Sequence, residues 1–404
     1  MDSCDVLIVG AGPAGTSCAW KLRDSGLDVV ILDKQVFPRD KVCGGWITPG
    51  VLTDLEIDPA EYAPGRTLQQ ITGFRTGCIG GPTVETDYGA AVSYGIRRRE
   101  FDEYLLKRCG ARAIEGVNLT TLEHVGEGWI ANGCIKARLL IGAGGHFCPV
   151  ARLTGARTAR ENAVVAQEAE FEMTAEQRGA CRIRGEFPEL YFCSDMKGYG
   201  WCFRKQNFLN VGLGRMDQHR LSEHLVNFVS FLKSSGRIAF DIPHAPGHAY
   251  LLYGVSARNV TGDGLLLIGD AAGLAFAQSG EGILPAIESG LLAANAILAA
   301  RGDYCKASLA SYPAMIARRF GKSRADWVEG IARHVPSRWV GSLARALLRT
   351  RWFTRNVVLN RWFLHAAESP SSARTQGFEE RGRTKRTSSA PRNEAPLRKR
   401  TPLV

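Results

Sequence analysis

Short apolar runs that end in glycine turns dominate the hydrophobic pattern of this chain. Asp5–Val9 (DVLIV), Asp28–Leu32 (DVVIL), Ala137–Gly145 (ARLLIGAGG) and Gly264–Ile268 (GLLLI) each read as a buried strand. Helical patterning appears from Thr16 to about Ser25, over Arg97–Cys109 and Leu221–Ser234, and from Ile283 to about Ala300. In Arg97–Cys109 the residues Phe101, Tyr104, Leu105 and Arg108 recur at 3–4 spacing. Alternating segments such as Ala166–Met173 and Phe208–Leu213 predict antiparallel strands, and residues 67–93 read as a meander. The expected architecture is α/β. A discontinuous Rossmann-like domain is formed by 1–165 and 261–302, with 50–97 partly contributing to the second domain. That second domain is a sheet of residues 166–260. A helical basic segment follows over 303–368, then a disordered basic tail over 369–404.

The organising stretch lies at the first turn. Asp5–Val9 runs into Gly10-Ala11-Gly12-Pro13-Ala14-Gly15 and then into a helix, which is the dinucleotide-binding arrangement. Gly10 permits the tight turn, Gly12 lets a pyrophosphate approach the backbone, and Gly15 lets the helix pack on the sheet. Phosphate would meet free N–H groups at the positive end of the helix dipole. Gly26 is placed to end that helix as a C-cap. Asp33, with Lys34 after it, ends the second strand where an acid would bond ribose hydroxyls. A second glycine turn comes far downstream. Gly269-Asp270, then Gly280-Glu281-Gly282 before the helix starting at Ile283, offer another helix N-terminus for phosphate or flavin oxygens. Two such units so far apart fit an extended dinucleotide such as FAD better than a nicotinamide alone.

Composition narrows the class. Hydrophobic content of 45% and charged content of 23% are those of a soluble globular protein. No run reads as a membrane span and none precedes the first strand, so a cytoplasmic location is expected. Eleven cysteines without a CxxC pair suggest neither a zinc site nor a disulfide framework, and no metal site is expected. The net charge of +11 is uneven: from Ile331 onward sixteen Lys and Arg face four Glu, which leaves the first 330 residues at −1. From Gly330 to Ala367 there are seven Arg and no acid, interleaved with Trp339, Trp352, Trp362, Phe353, Phe363, Leu343, Leu347 and Leu348. Arg beside Trp and Leu suits a helix lying on an anionic membrane, and suits equally a helical cap packed on the body.

The motifs together resemble one family. Gly10 to Gly15 with Asp33, the KVCGG of Lys41 to Gly45, Arg98-x-x-Phe101-Asp102, and GDAAG followed by SGEGI are similar to the FAD-dependent geranylgeranyl reductases. These are relatives of the aromatic hydroxylases with the glutathione-reductase-like FAD fold. Tyr199-Gly200-Trp201-Cys202-Phe203 is similar to the reductase branch's YxWxF signature. The resemblance implies that Gly10, Gly12, Pro13, Ala14, Gly15, Asp33, Lys34, Lys41, Arg98, Gly269, Asp270, Gly280, Glu281, Gly282 and Ile283 hold FAD. It implies that Cys43, Gly44, Gly45, Tyr199, Trp201 and Phe203 line the cavity beside the isoalloxazine, with Cys43, Tyr199 and Trp201 as catalytic candidates and Phe203 facing substrate. The chain departs from the family pattern at Gly142-Ala143-Gly144-Gly145 with Cys148, where an acid and a hydroxyl are missing, and at Met196, Arg204 and Ala277, where prolines are usual.

The expected function is reduction of a C=C bond in an apolar, isoprenoid or lipid-like substrate through FADH2, with NAD(P)H or another external reductant. Hydroxylation of an aromatic or polycyclic substrate is the alternative, and a non-catalytic or nucleic-acid-associated flavoprotein a further one, with nucleic acid disfavoured. For Cys43 a reactive thiol and a small buried side chain stand equal. Tyr199, Trp201 and Phe203 share one face of a strand, as a substrate wall or as core.

Overall fold

The computed structural model describes residues 1–156, 161, 163–217, 220–254, 258–321 and 343–366. The expected tail over 369–404, and residues 322–342, 367 and 368 of the basic segment, with Arg333, Arg338 and Trp339 among them, lie outside the described residues. Among the described residues the strands form sheets of eight, seven and three.

The eight-stranded sheet answers the buried apolar runs. Asp2–Val9 is central and parallel to Val29–Leu32 on one side and to Ile135–Gly142 on the other. Leu265–Leu267 adds parallel to Ile135–Gly142, and Arg112–Ile114 adds parallel to Val29–Leu32. Val9 pairs with both Leu32 and Gly142, and Gly142 pairs with Leu267, so four strands end at one level. Their glycine turns therefore emerge on one edge, where ligands of parallel α/β sheets bind. Arg112–Ile114 and the hairpin Leu122–Val125 with Gly128–Ala131 have no buried apolar run to announce them.

Element boundaries differ from the sequence expectation by a few residues. The first helix is Pro13–Leu22, not Thr16–Ser25, because Pro at its first position starts the helix directly after Gly12. It stops at Leu22, and Gly26, at φ +79°, belongs to the following turn rather than to the cap. The predicted strand from Ala137 to Gly145 begins earlier, at Ile135, and ends at Gly142. Ile283–Ala300 forms as expected and packs on Pro13–Leu22, where a Cβ at Gly290 would come 2.3 Å from Ala14 O. By length and composition this 18-residue helix, of mean hydropathy 1.6, could cross a membrane, which corrects the reading that no run qualifies. It is 78% buried inside the protein.

The seven-stranded sheet takes its strands from two stretches of the chain, 73–87 and 163–251. Its order is Gly247–Leu251, Ala163–Glu172, Phe208–Arg215, Gly198–Lys205, Glu189–Phe192, Gly73–Cys78 and Thr83–Asp87. Glu189–Phe192 and Gly73–Cys78 run parallel, and the other neighbours are antiparallel. The period of two separates its faces. Tyr191, Cys202, Val211 and Leu213 pack beneath the helix Leu221–Ser234. Leu190, Trp201 and Phe203 face the other way, toward Trp46, Phe74 and the C-terminal segment. The helical character expected of the basic segment is present among the described residues, in Ser311–Phe320 and again from residue 343 onward. Residues 343–347 are helical, Arg351–Phe353 starts a second turn, and Thr354–Phe363 winds as a π-helix. Leu348, Val358, Leu359, Phe363 and Leu364 bury against the aromatic face.

Candidate active site

One cavity of about 780 Å³ runs from the edge of the parallel sheet to the aromatic face of the seven-stranded sheet. At its nucleotide end lie Gly10, Gly12, Pro13, Ala14, Asp33 and Lys34. Asp33 accepts the Ala11 N–H at 2.7 Å and the Gln35 N–H at 2.9 Å, so it braces the glycine loop from the neighbouring strand. Gly15 and Gly269, expected among the contacts, stand behind the cavity wall. A Cβ at Gly15 would lie 2.0 Å from Gly10 O, and one at Gly269 would lie 2.9 Å from the Ala14 Cβ. Both glycines serve close packing.

Cations gather over the glycine loop. Arg98, at the start of the helix Arg98–Arg108, makes two 2.7 Å bonds to the buried Asp102 one turn on. Arg39 reaches the same carboxylate at 3.0 Å, and its Nη2 lies 3.9 Å from where a Gly12 Cβ would stand. Its Nη1 is buried with no hydrogen-bond partner among the described residues. Lys41 Nζ lies 2.8 Å from His248 Nε2, and His248 lies 3.9 Å from Asp270 Oδ2. Burial, helped by Arg98, lowers the Lys41 ammonium to about 8, so it is mostly charged at pH 7 and discharges above that. Burial pushes the Asp270 carboxyl up, but His248, Lys41 and Arg98 outweigh it and hold it below the usual carboxylate range. Arg39, Lys41 and Arg98 thus stand over the loop among the carboxylates of Asp33, Asp102 and Asp270, as charge-assisted partners suited to a pyrophosphate.

The second glycine turn closes the middle of the cavity. Gly280, Glu281, Gly282 and Ile283 line it, and Gly280 at φ +69° passes so close to Tyr250 that a Cβ would sit 2.4 Å from its hydroxyl. Glu281 lies 3.4 Å from His365 of the C-terminal segment. Tyr199 donates to Ser279 O at 2.5 Å, and burial with Tyr250 and Glu281 nearby keeps its hydroxyl protonated. A buried guanidinium stands beside the glycine turn after Ile135–Gly142. Arg258 donates to Ala271 O at 2.8 Å and to His146 O at 3.3 Å, and is neutralised by Glu161 at 2.6 Å. It ties both glycine turns together.

Cys43, Gly44 and Gly45 cross the cavity above the aromatic face. A Cβ at Gly44 would lie 3.4 Å from the Phe203 ring and 3.5 Å from Trp201 Nε1. Gly45, at φ +62°, leaves no room at all: a Cβ would meet Ile96 O at 2.2 Å. Trp46, Leu190, Tyr199, Trp201, Phe203 and Phe363 wall the far end. Phe363 stacks on Trp46 at 5.4 Å and meets Tyr199 edge-on at 5.4 Å.

Most predicted residues thus share one cavity. Sequence reasoning missed Arg39, His248, Tyr250, Arg258 and Phe363. Only Arg39, inside the glycine-rich loop, lay beside a recognised motif. The others reach the site from distant strands and from the C-terminal segment.

Comparison with known proteins places the chain among FAD-dependent oxidoreductases. Residues 5–73 match the FAD dependent oxidoreductase family. Menaquinone reductase of Mycobacterium tuberculosis is 31% identical over 347 residues, covering 80% of this chain and 81% of that protein. Digeranylgeranylglycerophospholipid reductase 2 of Methanosphaera stadtmanae is 28% identical over 80% of this chain and 85% of that protein. The structure of a geranylgeranyl bacteriochlorophyll reductase-like protein from Thermoplasma acidophilum superposes with a TM-score of 0.73 at 22% identity. It covers 86% of this chain and 91% of that one, and so shares the fold.

Proposed function

Because this chain belongs to the geranylgeranyl reductase family of FAD-dependent oxidoreductases, we propose that it reduces a C=C bond in an isoprenoid-bearing lipid. The observation that carries this reading is the single cavity whose nucleotide end opens into an apolar aromatic chamber. The residues present fit FAD. The space over Gly12 is open, Arg39 beside it has an Nη1 without a hydrogen-bond partner among the described residues, and the Asp270 and Gly280–Gly282 turns continue the path toward the chamber. Arg39, Lys41 and Arg98 would hold the pyrophosphate, and Asp33 and Asp270 would bond the sugar hydroxyls. Bound FAD, once reduced by NAD(P)H or another external donor, would supply the two electrons. The chain's own part is to orient and to exclude water. Trp46, Trp201, Phe203 and Phe363 would hold an apolar chain dry, and the half-buried Cys43 thiol would hold a proton at the chamber's edge. Both named relatives act on lipids with isoprenoid chains, which supports the same substrate class.

Anaerobic mixing of the reduced protein with a menaquinone or a geranylgeranyl phospholipid tests this reading. The expected result is one oxidised flavin per product, with the isoprenoid chain two hydrogens richer after any quinol is reoxidised; two hydrogens gained only by a quinone head do not count. A product bearing a new hydroxyl once O2 is admitted, or no oxidation by either lipid class, would overturn it.

The outer side of the C-terminal segment supports delivery from a membrane. Leu343 is 51% exposed and Trp352 69%, with Leu347 exposed between them. Arg345, Arg349, Arg351 and Arg355 are exposed in the same stretch, with Arg355 over the Tyr88 ring, while Phe363 from the same segment walls the cavity. Each basic group near anionic lipid is worth about 1 kcal/mol. The full chain is expected to sediment with anionic vesicles at low salt, and a Leu343→Ser, Leu347→Ser, Trp352→Ser variant to stay in the supernatant. Equal sedimentation of the two proteins would reject the docking role of these three residues.

A further inference from the structure

Beneath the Cys43–Gly45 loop, the seven-stranded sheet is polar where an apolar floor would be cheaper. Glu168, Asn210 and Lys205 are 4%, 0% and 0% exposed. Burying such groups is unfavourable unless hydrogen bonds compensate, and here the bonds converge on one loop. The Glu168 carboxylate accepts the Cys43 N–H. Asn210 donates to Cys43 O at 3.1 Å and to Glu168 Oε1 at 2.8 Å, and it accepts the Trp201 indole N–H at 2.7 Å. Lys205 secures the loop's far end, donating to Ile96 O at 2.8 Å and pairing with Glu170 at 2.7 Å. Ile96 in turn donates its N–H to Gly45 O at 2.7 Å. Register explains the reach of Trp201. It sits opposite Gly212, where a Cβ would come 2.2 Å from the indole, so the ring lies over that glycine and meets Asn210.

Both the N–H and the C=O of Cys43, and the edge of Trp201, are therefore held by one buried pair that does not itself line the cavity. We propose that Glu168 and Asn210 are positioning residues that set Cys43 and Trp201 in fixed relation across the chamber. The proposal rests on the reading of that chamber as the reducing site, and it makes the polar floor part of the device.

The same geometry gives a pH dependence. Burial lifts the Glu168 carboxyl to about 7, with Glu170 adding to the rise and Lys205 opposing it. The charged groups facing the pair are Lys205 and Glu170 from the sheet and Arg97, 3.5 Å from Glu170, with Cys43 above. As a carboxylate, Glu168 accepts from Cys43 and Asn210 together. Protonated, one oxygen becomes a donor and one of those bonds is lost. The grip on the loop is thus complete above pH 7 and weakens below it.

Glu168→Gln imitates the protonated form at every pH, and Glu168→Asp keeps the charge but falls short of Cys43. In the FAD-bound protein, alkylation of Cys43 by a maleimide at pH 8, followed by peptide mass, is expected to speed up about fivefold in both, the factor for one lost hydrogen bond. With lipid substrate, kcat of the unmodified protein should fall as pH drops through 7, and that step should vanish in Glu168→Gln while KM stays unchanged. Alkylation rates equal to the unmodified protein's in both variants would overturn the proposal. So would a pH step retained in Glu168→Gln. The alkylation needs no substrate, so faster alkylation without any lipid turnover would uphold the positioning role and reject the reductase reading alone.

Discussion

Gly12→Val protein is expected to fold as the parent does and to purify colourless. Gly12 has φ −76° and ψ −178°, an extended backbone open to any residue. The nearest atom to a Cβ there is Arg39 Nη2 at 3.9 Å, so the Cβ itself displaces no protein group. The branched side chain would instead fill the cavity where a pyrophosphate must touch the loop. Loss of a glycine at the N-cap position costs the fold about 1 kcal/mol. Loss of the phosphate contacts should weaken FAD by about 100-fold or more. The neighbouring glycines give the contrast. Gly10, at φ +119°, would drive a Cβ to 2.4 Å from Ala143 O, so Gly10→Ala should unfold the domain rather than merely empty it. The ratio of flavin absorbance to protein, with the melting curve of each apoprotein, separates the two. Full flavin occupancy in Gly12→Val would remove this loop from the FAD site.

Arg98→Met should damage both stability and cofactor retention. Asp102 is fully buried and holds two guanidiniums, Arg98 through both oxygens and Arg39 at 3.0 Å. The buried Asp102 carboxylate outweighs desolvation and keeps Arg98 protonated. Methionine fills much of the volume but removes the bidentate partner, and breaking a buried pair from one side costs about 3 kcal/mol or more. One of the three cations at the loop is lost as well, leaving Arg39 and Lys41 to meet a pyrophosphate. FAD affinity should fall about tenfold to 100-fold, as for one lost charge-assisted hydrogen bond. Arg98→Lys, with charge but no fork, should lie between. A melting temperature and flavin affinity equal to the parent's would show that Arg39 alone sustains Asp102 and the loop.

The effect of a residue on this site is not read from its motif alone. Gly10, Gly12 and Gly15 belong to one signature, yet only Gly12 has its Cβ direction open to the cavity. Cys43 was legible as a conspicuous thiol in a glycine-rich loop. Glu168 and Asn210 were not, because on alternating strands they read as ordinary polar positions and their partners lie 125 and 167 residues away. The basic C-terminal segment was legible as amphipathic, but its two sides were not assigned. Leu348 and Phe363 turn inward, whereas Leu343 and Trp352 stay out, because the π-helix and the break before Arg351 shift the register that a regular helix would keep.

What the sequence determined by itself is the nucleotide frame. Buried runs such as Asp5–Val9 and Gly264–Ile268 can satisfy their backbone only in a covered parallel sheet, and each glycine turn follows its strand locally. Local chemistry suffices there because strand, turn and helix are neighbours in the chain. The tertiary structure alone decided the working site. Arg258 bridges two turns, His248 meets Lys41, Asn210 meets Cys43, and Phe363 closes the aromatic wall. Each of these pairings joins residues of unrelated segments. Their contact depends on strand order and register, which hydrophobic periodicity constrains to a face but not to a partner.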